Sequence, residues 1–242
     1  MEINGVKCQY CNYARVKIAR KLCRAGAVST KLNVLTRDKA IGLYLPLTPS
    51  NSIYLPKQNM HETIRQIKAQ LRLFMNGVLS QSLREKGLTY RLIFGVELPR
   101  LKEIAAGYEQ DHELAQALWR EDIRECKILA AYLQPTDTFA PELADYWMES
   151  VTNTELADYL CMALLRRLPY ASQKAFQWMA SDRRMEQYTG FRLIAHLFAL
   201  HGTEMNERSR TEFVDQAQAA LRGDDLLIKQ AAQTALERYE AP

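Results

Sequence analysis

The sequence predicts an all-α fold, and three observations carry that prediction. Beyond Met60, apolar residues recur at three- and four-residue spacings over long stretches with few breakers. No convincing alternating strand pattern is found after residue 60. Leu118, Asp122 and Leu133 recur in type 103 residues later as Leu221, Asp225 and Leu236, although Ala130 is answered by Gln233. Paired amphipathic helices with weak self-similarity point to an α-solenoid, a superhelix of HEAT-like helical repeats. A compact helical bundle is the competing arrangement, and the repeat alone does not decide between them.

The elements follow in order. The first helix spans about 61–73, with Ile64, Ile67, Leu71 and Phe74 on helical spacing. Further helices are predicted at 98–107, 111–120, 122–133, 140–150, 154–168, 171–180, 184–200, 209–221 and 225–239. Pro99, Pro141 and Pro169 lie at or near first turns, where a missing N–H costs nothing. Thr152 and Glu155 are spaced as a capping box for helix 154–168. That helix has a core stripe of Leu156, Tyr159, Leu160, Ala163 and Leu164. Its other side sets Asp158 beside Cys161, Met162 and Leu165. A helix apolar on both sides is central in its fold, so Asp158 has either a partner or a cleft to line.

Composition divides the chain. Its 242 residues carry a formal charge of +4. Residues 1–59, however, hold ten Lys/Arg and two Asp/Glu, and residues 60–242 hold twenty-two against twenty-six. The first piece is a basic N-terminal extension with a Ser/Thr/Asn/Pro-rich stretch, Pro46 to Lys57. It is expected to be poorly ordered, or to result from a gene start placed too early, with Met60 as the true start. Its Cys8-x-x-Cys11 lacks the second ligand pair of a structural zinc site and the strand and helix of a redox motif, and reads as two incidental thiols. Arg15 to Arg24 is either a phosphate-attracting stretch or a solvated tail.

Residues 60–242 are read as the functional domain. The apolar content excludes general disorder. No apolar run reaches the ~20 residues of a membrane span, and five cysteines read as reduced thiols, so a cytoplasmic protein with no membrane partner is expected. His61, His112, His196 and His201 form no ligand pattern, and no phosphate loop or nucleophile elbow is present, so no cofactor and no metal are expected.

The run Phe94-Gly95-Val96-Glu97-Leu98-Pro99-Arg100-Leu101-Lys102-Glu103-Ile104-Ala105 is followed by Leu114-Ala115-x-x-Leu118-Trp119. Next comes Asp122-Ile123-Arg124-Glu125-x-Lys127-x-Leu129-Ala130. With helix 154–168, this order resembles the AlkD-like DNA alkylation repair family over about residues 60–240. The resemblance implies a HEAT-like-repeat superhelix whose concave face holds double-stranded DNA. It also implies excision of cationic alkylpurines such as 3-methyladenine or 7-methylguanine, without base flipping. In that family an aspartate stabilises the oxocarbenium-like sugar, two tryptophans pack on the deoxyribose and an arginine holds a phosphate.

Carried over, the family's Trp-Asp-x-x-Asp pattern falls on Thr154-Glu155-Leu156-Ala157-Asp158, so the catalytic-type aspartate is Asp158 and Thr154 replaces a tryptophan. The second tryptophan falls on Thr234 and the phosphate-holding arginine on Arg192. Arg166, Arg167 and Lys229 are further DNA-contact candidates, joined by Lys174, Arg183 and Arg184 if they share a face. Trp147 and Trp178 are read as packing residues. Three functions remain open: an alkylpurine glycosylase, a non-catalytic DNA-binding relative, and a protein-interaction scaffold. A monomer is expected.

Overall fold

The computed structural model describes residues 2–3, 6–7 and 60–241, without the His201 side chain. The chain divides into two units, Met1–Tyr54 and Leu55–Pro242. In the first, β1 (Glu2–Ile3) and β2 (Val6–Lys7) pair antiparallel, Glu2 opposite Lys7 and Ile3 opposite Val6. Cys8, Cys11 and the basic stretch Arg15 to Arg24 lie outside the described residues.

Among its described residues the second unit is built of helices, with one isolated parallel bridge between Leu92 and Ile123: α1 (Met60–Leu73), α2 (Gly77–Glu85), α3 (Leu98–Ala106), α4 (His112–Trp119), α5 (Arg124–Leu133), α6 (Pro141–Glu149) and α7 (Thr154–Ala163). A short 3-10 turn, Leu165–Arg167, leads into α8 (Ala171–Met179), α9 (Arg184–His201), α10 (Glu207–Arg222) and α11 (Leu226–Glu240). Local chemistry sets the starts. The side chains of Asn76, Asp111, Asn153, Asn206 and Asp225 each accept from a first-turn N–H. Pro99 and Pro141 occupy first-turn positions.

Three details differ from the sequence reading. Helix α2 was not expected: it buries only Leu83, too little for a visible period. The cap of α7 is Asn153 rather than Thr152, because Glu155 is drawn away to Arg124. The same helix ends at Ala163 rather than continuing to 168. Leu168 precedes Pro169 and is extended (ψ 142°), the conformation that a following proline imposes, so the chain tightens into the 3-10 turn first.

The helices stack in series. Helix α3 packs on α5, α5 on α7, α7 on α9 and α9 on α11, while α4, α8 and α10 pair with their successors α5, α9 and α11. Serial neighbours of this kind define a repeat array rather than a bundle closed around one axis. Helices α5, α7 and α9 begin at Arg124, Thr154 and Arg184, thirty residues apart. Contacts between steps recur at nearly that separation: Gln116 with Trp147, Arg124 with Glu155 and Phe139 with Tyr170 are each thirty-one residues apart. The 103-residue similarity seen in the sequence thus spans three steps, from α5 to α11.

Buried polar groups bind the steps together. The Glu125 carboxylate, wholly buried, accepts from the backbone N–H groups of Phe94, Gly95 and Val96 at 3.0, 3.0 and 3.4 Å. Arg124 donates to Glu125 at 2.9 Å, to the Val96 carbonyl at 3.2 Å and with two nitrogens to Glu155 at 2.8 and 2.7 Å. Gly95 has φ +74°, and a Cβ there would stand 2.2 Å from the Asn76 carbonyl oxygen, so glycine alone fits this strap. Gly190 serves α9 similarly: a Cβ would lie 2.5 Å from Met179 N and 2.9 Å from Ala175 O, so its absence lets α8 and α9 meet backbone to backbone.

Candidate nucleic-acid interface

Helix α7 carries Asp158 on the side facing α9. On α9, Tyr188, Arg192 and His196 are spaced four residues apart and so form one stripe. The two helices pack together, and Arg192 Nε donates to Asp158 Oδ1 at 2.7 Å. The Tyr188 hydroxyl donates to both carboxylate oxygens, at 3.2 and 3.1 Å. The ion pair is neither buried nor free: the side chains of Arg192 and Asp158 are 27% and 37% exposed. Asp158 therefore has a partner and also a solvent face.

Electrostatics show what else surrounds it. His196 is held below the ordinary imidazole range, first by burial and then by the charges of Arg192, Arg166 and Arg238, with Asp158 opposing. Three guanidinium groups from the 3-10 turn, α9 and α11 thus act on one ring against one carboxylate. Arg167 adjoins Arg166 on the 3-10 turn, and partial burial, followed by the Arg166 charge, holds it below its usual range. The Tyr188 phenol is pushed above its usual range by burial and then by the Asp158 charge, so it remains a donor. Burial likewise pushes up the Cys161 thiol, which sits behind Asp158 and points at the Thr189 carbonyl at 3.8 Å. It is no nucleophile.

His196 yields a prediction. Its folded pKa lies below 6.5, so between the two values the unfolded chain binds the proton and the folded chain does not. Stability is therefore lost as pH falls from 6.5 toward the folded value. Thermal melts from pH 7.5 to 5 should show His196→Gln gaining on the wild type as acidity rises. A pH-independent difference would refute the assigned environment.

The structure brings together Asp158, Arg192 and Arg166, with Arg167 adjacent. Thr154 stands one turn before Asp158 on α7. On α11, Thr234 donates its hydroxyl to the Gln230 carbonyl at 2.8 Å and shares a face with Arg238 four residues on. Lys229 is nine residues from Arg238, which places it on the opposite side of α11. It is not among the charges that act on His196. Lys174, Arg183 and Arg184 are likewise committed to Asp145, Glu186 and Asp225. Tyr188, His196 and Arg238 were missed in the sequence, although the four-residue spacing of Tyr188-Arg192-His196 was legible there. Trp147 and Trp178 are buried, their indole N–H groups donating to Gln116 and Asp145, so neither replaces an absent aromatic wall.

Among the described residues no group of three or more His, Cys, Asp and Glu side chains is placed to hold a metal. No described helix is long and apolar enough to cross a membrane.

Stacked helix pairs with a cationic site on successive helices define the class: a helical-repeat protein. The family described as DNA alkylation repair enzyme matches residues 65–240. The chain belongs to that family. Its structure is similar, at a TM-score of 0.65 and 17% identity over 73% of this chain and 74% of the other, to a solved protein described as one of "a new family of proteins related to the HEAT-like repeat DNA glycosylases with affinity for branched DNA structures". The fold is thus the HEAT-like repeat fold expected from the sequence. No curated protein matches the chain.

Proposed function

We propose that this chain is a DNA-binding member of the family that grips phosphates with Arg166, Arg192 and Arg238 and does not cleave the base–sugar bond. The observation that carries this reading is the state of Asp158. Its carboxylate is bound by Arg192 Nε at 2.7 Å and by the Tyr188 hydroxyl. Stabilising a sugar cation needs a preorganised negative charge facing the reacting centre. A carboxylate paired with one guanidinium and set among two more presents a net positive site instead, suited to a phosphodiester. Thr154 and Thr234 offer no aromatic surface to hold the sugar. Arg167 extends the cationic surface, Thr154 and Thr234 border it, and Lys229 faces away. The ligand class is double-stranded DNA, including branched forms of the kind bound by the structural relative, and the binding unit is a monomer.

Two measurements test this. The full chain incubated with methylated duplex DNA should release no more free base than Asp158→Asn; clear excess release would establish the glycosylase reading. Binding should weaken steeply with salt, and Arg166→Ala should make the slope of log K against log salt shallower by about 0.9, the value for one lost phosphate contact. An unchanged slope removes Arg166 from the interface.

A further inference from the structure

Helix α9 packs against α7, the 3-10 turn and α11. It carries Arg192, the turn carries Arg166 and α11 carries Arg238. All three guanidinium groups act on the one ring of His196, so they converge on a point rather than follow a line. They are also uncommitted. Arg166 and Arg238 form no side-chain hydrogen bond or ion pair among the described residues. Arg192 gives only its Nε to Asp158, at 2.7 Å. Its two terminal nitrogens have no hydrogen-bond partner among the described residues, so Asp158 holds the guanidinium and leaves its fork open.

Charge at this point does not balance within the described chain. The carboxylates on the elements that meet here are Glu155 and Asp158 on α7, Glu186 on α9, and Glu237 and Glu240 on α11. Glu155 is taken by Arg124, Glu186 by Arg183 and Ser181, and Glu237 accepts from Gln233. Glu240 is two residues past Arg238 and so lies off the face that Arg238 shares with Thr234. Asp158 is the carboxylate that opposes the arginines at His196. With His196 neutral, three guanidiniums against one carboxylate leave two positive charges. An internal phosphodiester brings one negative charge. A terminal phosphate brings about 1.5 to 2 at pH 7, on three acceptor oxygens. Successive diesters along a strand call for cations in a row, whereas forks gathered around one point suit a single dianion.

We infer that Arg166, Arg192 and Arg238 bind the terminal phosphate of a DNA strand end, at a nick or a branch, in preference to an internal phosphodiester. Asp158 is a positioning residue in this site: with Nε occupied, the two terminal nitrogens of Arg192 remain for a bidentate grip on phosphate oxygens. The site rests on the DNA-binding reading above and narrows its ligand to double-stranded DNA that carries a phosphorylated break.

The test uses the full chain and one dumbbell duplex, closed by a hairpin loop at each end so that it has no other termini. The dumbbell is prepared intact and with a single nick that carries a 5′-phosphate, a 3′-phosphate or hydroxyls on both sides. A phosphorylated nick should bind at least about tenfold more tightly than the hydroxyl nick, the scale of one added charge-assisted hydrogen bond. Comparison of the 5′ and 3′ forms gives the polarity of the end. Arg238 is exposed, so Arg238→Ala should fold normally and lose that preference. Arg238→Lys keeps the charge without the fork and should recover only part of it. Because the two nicked DNAs differ by one phosphate, their affinity ratio is insensitive to a general loss of stability. Equal binding of phosphorylated and hydroxyl nicks overturns the end site alone, provided that the intact dumbbell still binds in a way that depends on Arg166. A preference unchanged in Arg238→Ala overturns the end site as well. A wild type that binds no dumbbell at low salt overturns the DNA-binding reading and this site with it.

Discussion

Replacing Glu125 by alanine should lower the unfolding free energy by about 3–5 kcal/mol, the cost of breaking a buried ion pair from one side. The carboxylate serves four donors at once: three consecutive backbone N–H groups in the strap before α3, and Arg124. Removing it leaves those N–H groups without their acceptor in a region closed to water. It also strips Arg124, whose side chain is only 4% exposed, of one of its two carboxylates. Burial opposes the Arg124 charge, and Glu155 and Glu125 together more than offset it, so removing Glu125 leaves a buried guanidinium less well compensated. Urea unfolding followed by circular dichroism measures the loss as a lower midpoint. Glu125→Gln should restore only part of it, since an amide offers one acceptor oxygen where the carboxylate has two. A loss under 1 kcal/mol would mean that the strap is not held as described.

Replacing Trp147 by alanine should cost a similar amount, about 3–5 kcal/mol, for a different reason. The indole stacks on Trp119 with ring centroids 4.0 Å apart and planes within 3°, and Phe139 meets it edge-on at 4.9 Å. Its N–H donates to Gln116 at 3.1 Å, tying α6 to α4 one repeat earlier. Truncation leaves a cavity between two steps of the array and an unfilled hydrogen-bonding site on Gln116. Trp147→Phe should lose far less. Because the ring is buried away from solvent, Trp147→Phe should also leave DNA affinity at its wild-type value. An affinity loss in that variant would give Trp147 the sugar-facing role that its burial argues against.

Much of the fold was visible in the sequence because the helices here are amphipathic and separated by strong punctuation. Pro99 and Pro141 mark first turns, and Leu114, Leu118 and Trp119 lie on one buried face of α4. The thirty-residue step was not visible. It is kept by scattered pairs such as Gln116 with Trp147, and side-chain partnerships between unlike residues leave no self-similarity to detect. The longer interval from α9 to α11, with an 18-residue α9 and a further loop, also breaks the register. Asp158 was legible as a carboxylate out of place on an apolar stripe, and Arg192 through the family pattern. That the two bind each other was not, since residues thirty-four apart meet only once the steps are stacked. Lys229 shows the converse: composition grouped it with the arginines, and helical geometry turned it away.

The ion pairs that join α5 to α7, α7 to α9 and α9 to α11 grow more exposed in that order. Arg124 and Glu155, between α5 and α7, are 4% and 23% exposed. Asp158 and Arg192, between α7 and α9, are intermediate. Arg184 and Asp225, between α9 and α11, are 62% and 36% exposed. Dissolved ions screen open pairs and leave closed ones alone. Ionic strength therefore acts on these pairs unequally, screening Arg184 and Asp225 while the buried Arg124–Glu125 pair is left alone. On the DNA-binding reading proposed above, the arginine contacts and that exposed pair weaken over the same range of salt.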